Sequence, residues 1–109
     1  MTMAERNLTR PDDLSPGLSF YRSPEGELFC EDIPLKDLAR RFGTPLYVYS
    51  RAGIVERLEA YEKAFGTEPH QVCYAVKAAS TRGILELVAR QGTGFDCVSG
   101  GEILRALDA

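Results

Sequence analysis

The sequence holds a single histidine, His70, only three cysteines, and no apolar run near the length that crosses a bilayer. Cys30, Cys73 and Cys97 lie far apart, with no C-x-x-C pair and no histidine at metal-ligand spacing. A metal site is therefore not expected, and the thiols read as reduced, buried, small hydrophobes. A charge excess is lacking as well: lysine and arginine number 13 against 16 aspartates and glutamates, a net charge of -3. Nothing electrostatic points to a nucleic acid or an anionic membrane as partner. Residues 1–13 carry no basic start followed by an apolar stretch, so a secretory signal is not expected and the chain reads as cytoplasmic. With 109 residues, 44% of them hydrophobic, there is room for one domain at most.

Residues 1–17 are polar, carry Pro11, Pro16 and Gly17, and read as a flexible lead-in. From Leu18 two strand-like stretches flank Ser23-Pro24-Glu25-Gly26, which predicts a β-hairpin over residues 18–31. Pro34 then opens a short helix in which Leu35, Leu38, Ala39 and Phe42 share a face, with Gly43 placed to cap it. Leu46-Tyr47-Val48-Tyr49-Ser50 has strand composition. Ile54, Leu58, Tyr61 and Phe65 recur at helical spacing, with Glu59 and Lys63 paired four apart on the wet side and Gly66 as the stop. A strand over residues 72–76 follows. Then come a helix from Thr81 to Gln91 burying Ile84, Leu85, Leu87 and Val88, a strand over residues 94–98, and a helix from Gly101 with Ile103, Leu104 and Leu107 inward. Strand and helix alternate three times, the signature of parallel strands joined by crossovers.

That alternation assigns the fold class: α/β, the first three βα units of a (β/α)8 barrel of TIM type, which needs around 250 residues to close. The domain plan is a lead-in over residues 1–17, a hairpin over 18–34, and a truncated barrel over 35–109. Three parallel strands leave an unpaired edge, and the last helix pattern runs to the final residue without a cap, so a fragment of a longer protein is expected.

The stretch that could carry chemistry is Val72-Cys73-Tyr74-Ala75-Val76-Lys77-Ala78-Ala79-Ser80. Strand parity puts Val72, Tyr74 and Val76 toward the helices, and Cys73, Ala75 and Lys77 on the other face, where small neighbours leave room for a ligand beneath Lys77. Taken bare, Lys77 is either a solvated charge or an amine able to attack a carbonyl. Asp96, one strand over, is either a structural aspartate or a carboxylate that would favour a protonated imine. Ser99-Gly100-Gly101-Glu102 has the form of a capping box, and its two glycines would also let Glu102 face the site. Gly92-Thr93-Gly94 precedes a strand and is no dinucleotide fingerprint. His70 falls in a polar loop and reads as solvated.

Phe42-Gly43-Thr44-Pro45-Leu46-Tyr47-Val48-Tyr49, Tyr74-Ala75-Val76-Lys77-Ala78 and Gly94-Phe95-Asp96-Cys97-Val98-Ser99-Gly100-Gly101-Glu102 resemble, in order and spacing, the N-terminal portion of the diaminopimelate decarboxylase family. These are pyridoxal-phosphate-dependent decarboxylases with an alanine-racemase-like barrel. The resemblance implies that Lys77 is the catalytic lysine, forming the internal aldimine with pyridoxal 5'-phosphate, and that Asp96 and Glu102 lie at the cofactor. It implies removal of the α-carboxylate of meso-diaminopimelate to give lysine, a homodimer, and a hairpin belonging to a second, β-rich domain. The phosphate loop, the partner of the pyridine nitrogen and the ring-stacking histidine of the family fall beyond residue 109, so the fragment alone is expected to be inactive. Ala79 departs from the asparagine often found there. Two alternatives stay open: an ornithine, arginine or carboxynorspermidine decarboxylase of the same fold, or a non-catalytic relative that acts only as a binding module.

Overall fold

Ser23-Pro24-Glu25-Gly26 reverses the chain between two short antiparallel strands, β1 (Phe20–Arg22) and β2 (Leu28–Cys30), with Arg22 opposite Leu28. The computed structural model describes residues 19–109, so the expectation for residues 1–17 falls outside the described residues. Gly26 takes φ +87°, a left-handed conformation that glycine adopts without steric cost, and its N–H donates to Ser23 O at 2.8 Å. Tyr21 and Phe29, opposite one another, stack with ring centroids 5.1 Å apart.

The hairpin gains a third strand that the sequence pattern did not predict, β3 (Ile33–Pro34), antiparallel to β2. Two residues ending in proline are too short to show alternation, and a proline lacking an N–H suits only an edge. Pro34 also precedes α1 (Leu35–Phe42), which spans the expected residues and ends where Gly43, at φ +81°, donates its N–H to Ala39 O at 2.8 Å. Helix α1 packs on β2 and β3. Phe42, expected on its inner face, is exposed, because the face it occupies at the helix end has no apolar cover among the described residues.

The described residues form two compact units divided between Gly53 and Ile54. Within the first, residues 46–50 are not the strand their composition predicts: no described strand lies alongside to take their backbone groups, and Tyr47 and Tyr49 are exposed. Ser50 ends this stretch as the cap of α2 (Arg51–Phe65), its Oγ accepting from Gly53 N–H at 2.9 Å. Glu31, between β2 and β3 at φ +56°, completes that cap. Its Oε1 accepts from Ser50 Oγ at 2.7 Å and from Ala52 N–H at 2.9 Å, and these two bonds hold its carboxyl below the usual range. A hydroxyl that both donates and accepts is not left unpaired, so Ser50 can be buried without penalty.

In the second unit α2 ends at Gly66, which takes φ +59°. Ile54 and Leu58 are half-buried, whereas Tyr61 and Phe65 are exposed, and no Glu59–Lys63 ion pair forms among the described residues. His70 is not the solvated residue expected. Its ring stacks on Phe65 at 4.7 Å, Nδ1 lies 2.7 Å from Glu68 O, and Nε2 lies 2.8 Å from Glu62 Oε2. Strand β4 (Cys73–Ala75) then pairs in parallel with β5 (Gly94–Asp96) through α3 (Arg82–Arg90). Val76, Ile84, Leu85 and Val88 make the buried core of this unit, and Gly92 ends α3 as expected. Leu87 is only half-buried. The last helix, α4 (Gly100–Asp108), touches α3, and Arg82 pairs with both Glu86 and Asp108. Ile103, Leu104 and Leu107 were expected to point inward but are exposed, Leu107 at 78%, because no described element covers that face. After α2 the unit is thus a β-α-β-α arrangement with one parallel pair.

Candidate functional site

Strand β4 stops at Ala75, two residues short of Lys77, and the chain tightens into a single 3-10 turn, Val76–Ala78. Lys77 therefore stands on a turn at the C-terminal end of β4, a correction to the strand-tip position that composition suggests. Alternation still predicts the burial: Val76, like Leu85 and Val88, is fully buried, while Cys73 and Lys77 are exposed. Cys73 thereby departs from the buried thiol expected of it, and Cys97 is half-buried; only Cys30 is buried, and all three are free. Small side chains flank the lysine, Ala75 before it and Ala78 and Ala79 after it.

Asp96 ends β5 directly opposite Ala75. Opposed residues of a parallel pair project from the same face, so the carboxylate shares the face of Cys73 and Ala75 and sits two residues back from Lys77. Asp96 is exposed, and no ion pair joins it to Lys77 among the described residues. Both ends of the constellation are therefore available to a third group.

Glu102 has a different engagement. Ser99 Oγ accepts from Glu102 N–H at 3.2 Å, and Glu102 Oε2 accepts from Val98 N–H at 2.7 Å. This is the expected box with one change, the carboxylate reaching the residue before the cap instead of the cap itself. Glu102 fixes the loop that follows Asp96 and caps α4 in the same stroke.

Two residues at the site escaped the sequence pattern. Tyr74 Oη donates to Ala79 O at 3.0 Å, and Arg105 Nη1 donates to Ser80 O at 3.2 Å. Parity correctly put Tyr74 on the helix side, but its hydroxyl bond depends on a turn that brings Ala79 back over the strand. Arg105 lies on a helix 25 positions from its acceptor, a separation with no sequence signal.

A hollow of about 440 Å³ in the first unit is lined by Leu38, Phe42, Leu46 and Tyr47 among others; Lys77, Asp96 and Glu102 take no part in it. The site at Lys77 is instead an open strand end. An exposed primary amine without an ion-pair partner, small neighbours around it and a carboxylate on the adjoining strand fit an aldehyde-bearing cofactor, which needs a nucleophilic nitrogen and space for a ring.

The comparisons with known proteins agree with that chemistry. Residues 51–109 match the pyridoxal-dependent decarboxylase family over its pyridoxal binding domain. The chain belongs to this family of pyridoxal-dependent decarboxylases. Among its relatives, it is 51% identical over 90 residues to the diaminopimelate decarboxylase of Vibrio cholerae, covering 83% of this chain and 22% of that protein. It is 47% identical over 92 residues to that of Haemophilus influenzae, with 84% and 22% covered. The crystal structure of a diaminopimelate decarboxylase from M. jannaschii in complex with L-lysine superposes with a TM-score of 0.75 at 35% identity, covering 84% of this chain and 22% of that one. An Aquifex aeolicus protein of known structure superposes with a TM-score of 0.74 at 48% identity, over 82% of this chain and 22% of that one. The chain thus spans about a fifth of the length of the relatives it matches.

Proposed function

We propose that this chain is the N-terminal portion of a diaminopimelate decarboxylase, in which Lys77 holds pyridoxal 5'-phosphate and Asp96 and Glu102 support it. The observation that carries the proposal is the placement of Lys77: a free amine on the turn that ends β4, inside the segment that matches the pyridoxal binding domain. Relatives at about 50% identity that bear the name diaminopimelate decarboxylase favour meso-diaminopimelate as substrate and lysine as product.

Bound there, pyridoxal phosphate supplies an electron-accepting ring that takes up the electron pair left when an α-carboxylate departs as carbon dioxide. Lys77 contributes Nζ as the nucleophile that attaches the aldehyde, and, once the substrate amine has replaced it, as a proton carrier at the same atom. Asp96 places a negative charge on the adjoining strand, where it favours a cationic nitrogen. Glu102, bound to Val98 N–H, keeps the loop after Asp96 in place.

The remaining architecture belongs to the same proposal. The parallel pair β4–β5 with α3 and α4 is read as part of an α/β barrel of TIM type over residues 35–109, with the hairpin of residues 18–34 in a second, β-rich domain. The family resemblance supports a homodimer, and the protein is read as cytoplasmic. No described helix is long and apolar enough to cross a membrane.

The test is decarboxylation of meso-diaminopimelate, ornithine and arginine by the full-length protein, followed as carbon dioxide release. Turnover of diaminopimelate well above the other two is expected; preference for ornithine or arginine would replace the substrate assignment, and turnover of none would refute the decarboxylase.

A further inference from the structure

The turn that carries Lys77 is followed by two carbonyl groups, Ala79 O and Ser80 O, that lie past the β4–β5 ladder and before the first intrahelical bonds of α3, which begin at Thr81 O. Backbone acceptors outside a ladder or helix need another donor. Here two side chains supply it, Tyr74 Oη to Ala79 O at 3.0 Å and Arg105 Nη1 to Ser80 O at 3.2 Å. Val76, fully buried, anchors the start of the same turn in the core. Lys77 is therefore carried on a backbone fastened on both sides, although nothing fastens its own amine.

Helix α4 makes this fastening serve both strands. Glu102 and Arg105 are three positions apart, so they project from one face of the helix. Glu102 takes Val98 N–H beyond the end of β5, while Arg105 gives to Ser80 O beyond the end of β4. One turn of helix thereby ties together the segments that follow Asp96 and Lys77. Arg82, paired with both Glu86 and Asp108, links the end of α4 to α3.

We propose that Tyr74 and Arg105 are positioning residues for Lys77: they hold the turn so that Nζ meets an incoming aldehyde at a fixed place relative to Asp96. The proposal rests on the assignment of Lys77 as the cofactor lysine. In the step concerned, Nζ adds to the aldehyde carbon of pyridoxal phosphate, water leaves, and a carbon–nitrogen double bond results. Borohydride delivers hydride to that carbon and makes the link permanent. A lysine on a loose turn would still react, but more slowly, because the orientation must be found in each encounter.

The experiment uses the full-length protein stripped of cofactor, with variants Tyr74→Phe, Arg105→Met and Arg105→Lys. Each is mixed with pyridoxal phosphate, quenched with borohydride at intervals and digested, and the label on Lys77 is measured against that on the exposed Lys63 in the same digest. Tyr74→Phe and Arg105→Met are expected to lower the Lys77-to-Lys63 ratio about three- to tenfold, the scale of one hydrogen bond. Arg105→Lys, which keeps a donor, is expected to restore most of it. Unchanged ratios in both Tyr74→Phe and Arg105→Met overturn the inference alone, as does a lysine variant no better than methionine. Absence of label from Lys77 in the unaltered protein overturns the proposed function, and the inference with it.

Discussion

Ala75 and Asp96 stand opposite one another at the ends of the parallel strands β4 and β5. The pairing fixes what lies near the lysine turn: a methyl group on one strand, too small to fill the space, and a carboxylate on the other. Replacing Asp96 by Asn keeps the shape and removes the charge. In the full-length protein this change is expected to weaken pyridoxal phosphate retention about tenfold or more, the scale of one charge-assisted hydrogen bond. Folding stability should stay within about 0.5 kcal/mol, because Asp96 is exposed. Cofactor dissociation followed by absorbance, beside thermal unfolding of both proteins, checks the two halves. Equal retention would remove Asp96 from the site.

Glu31 and Ser50 bear on stability. Ser50→Ala removes the hydroxyl that caps α2 and is expected to destabilise by about 1 kcal/mol. Ala52 N–H and Ser50 Oγ hold the Glu31 carboxyl below its ordinary range. Its contribution is therefore fully present above the unfolded value, about pH 4.3, and is lost as pH falls through the folded value. Thermal unfolding of the unaltered protein and Glu31→Gln, taken from neutral to acid, should converge at low pH. A gap that persisted there would show that the carboxylate is not the source.

His70 runs the other way. Hydrogen bonding to Glu68 O, then to the Glu62 carboxylate, raises its pKa. A neutral imidazole donates from one nitrogen only, so two acceptors favour the doubly protonated ring. Its stabilisation is present in full below about pH 6.5, the ordinary histidine value, and fades as pH rises through the folded value. Proton resonances of the single imidazole are expected to titrate above the ordinary value in the unaltered protein and lower in Glu62→Gln. Identical midpoints would dismiss the ion pair.

The sequence pattern located α1 to the residue, the glycine stops at Gly43, Gly66 and Gly92, the hairpin turn, and the apolar strand that precedes Lys77. Those features are local: a proline, a glycine in a left-handed conformation or a period of apolar residues acts within a few positions. Much of what the pattern missed depends on distant neighbours. Residues 46–50 have strand composition but no strand beside them, and the apolar face of α4 has no described cover. The engagement of His70 required Glu62 to come round from α2, and Arg105 required Ser80 from across the unit. Ser99 and Glu102 were legible because a capping box is written within four residues; the turn of Val76–Ala78 was not, because nothing in Val-Lys-Ala distinguishes a strand end from a 3-10 turn.

Attachment of the cofactor to Lys77 underlies everything proposed for this chain. It is tested by borohydride reduction of the full-length protein with pyridoxal phosphate bound, followed by digestion and mass measurement of the labelled peptide. One label is expected, on the peptide that contains Tyr74-Ala75-Val76-Lys77, and none on the same peptide after Lys77→Arg. A label on another lysine, with Lys77 unmodified, would refute the assignment.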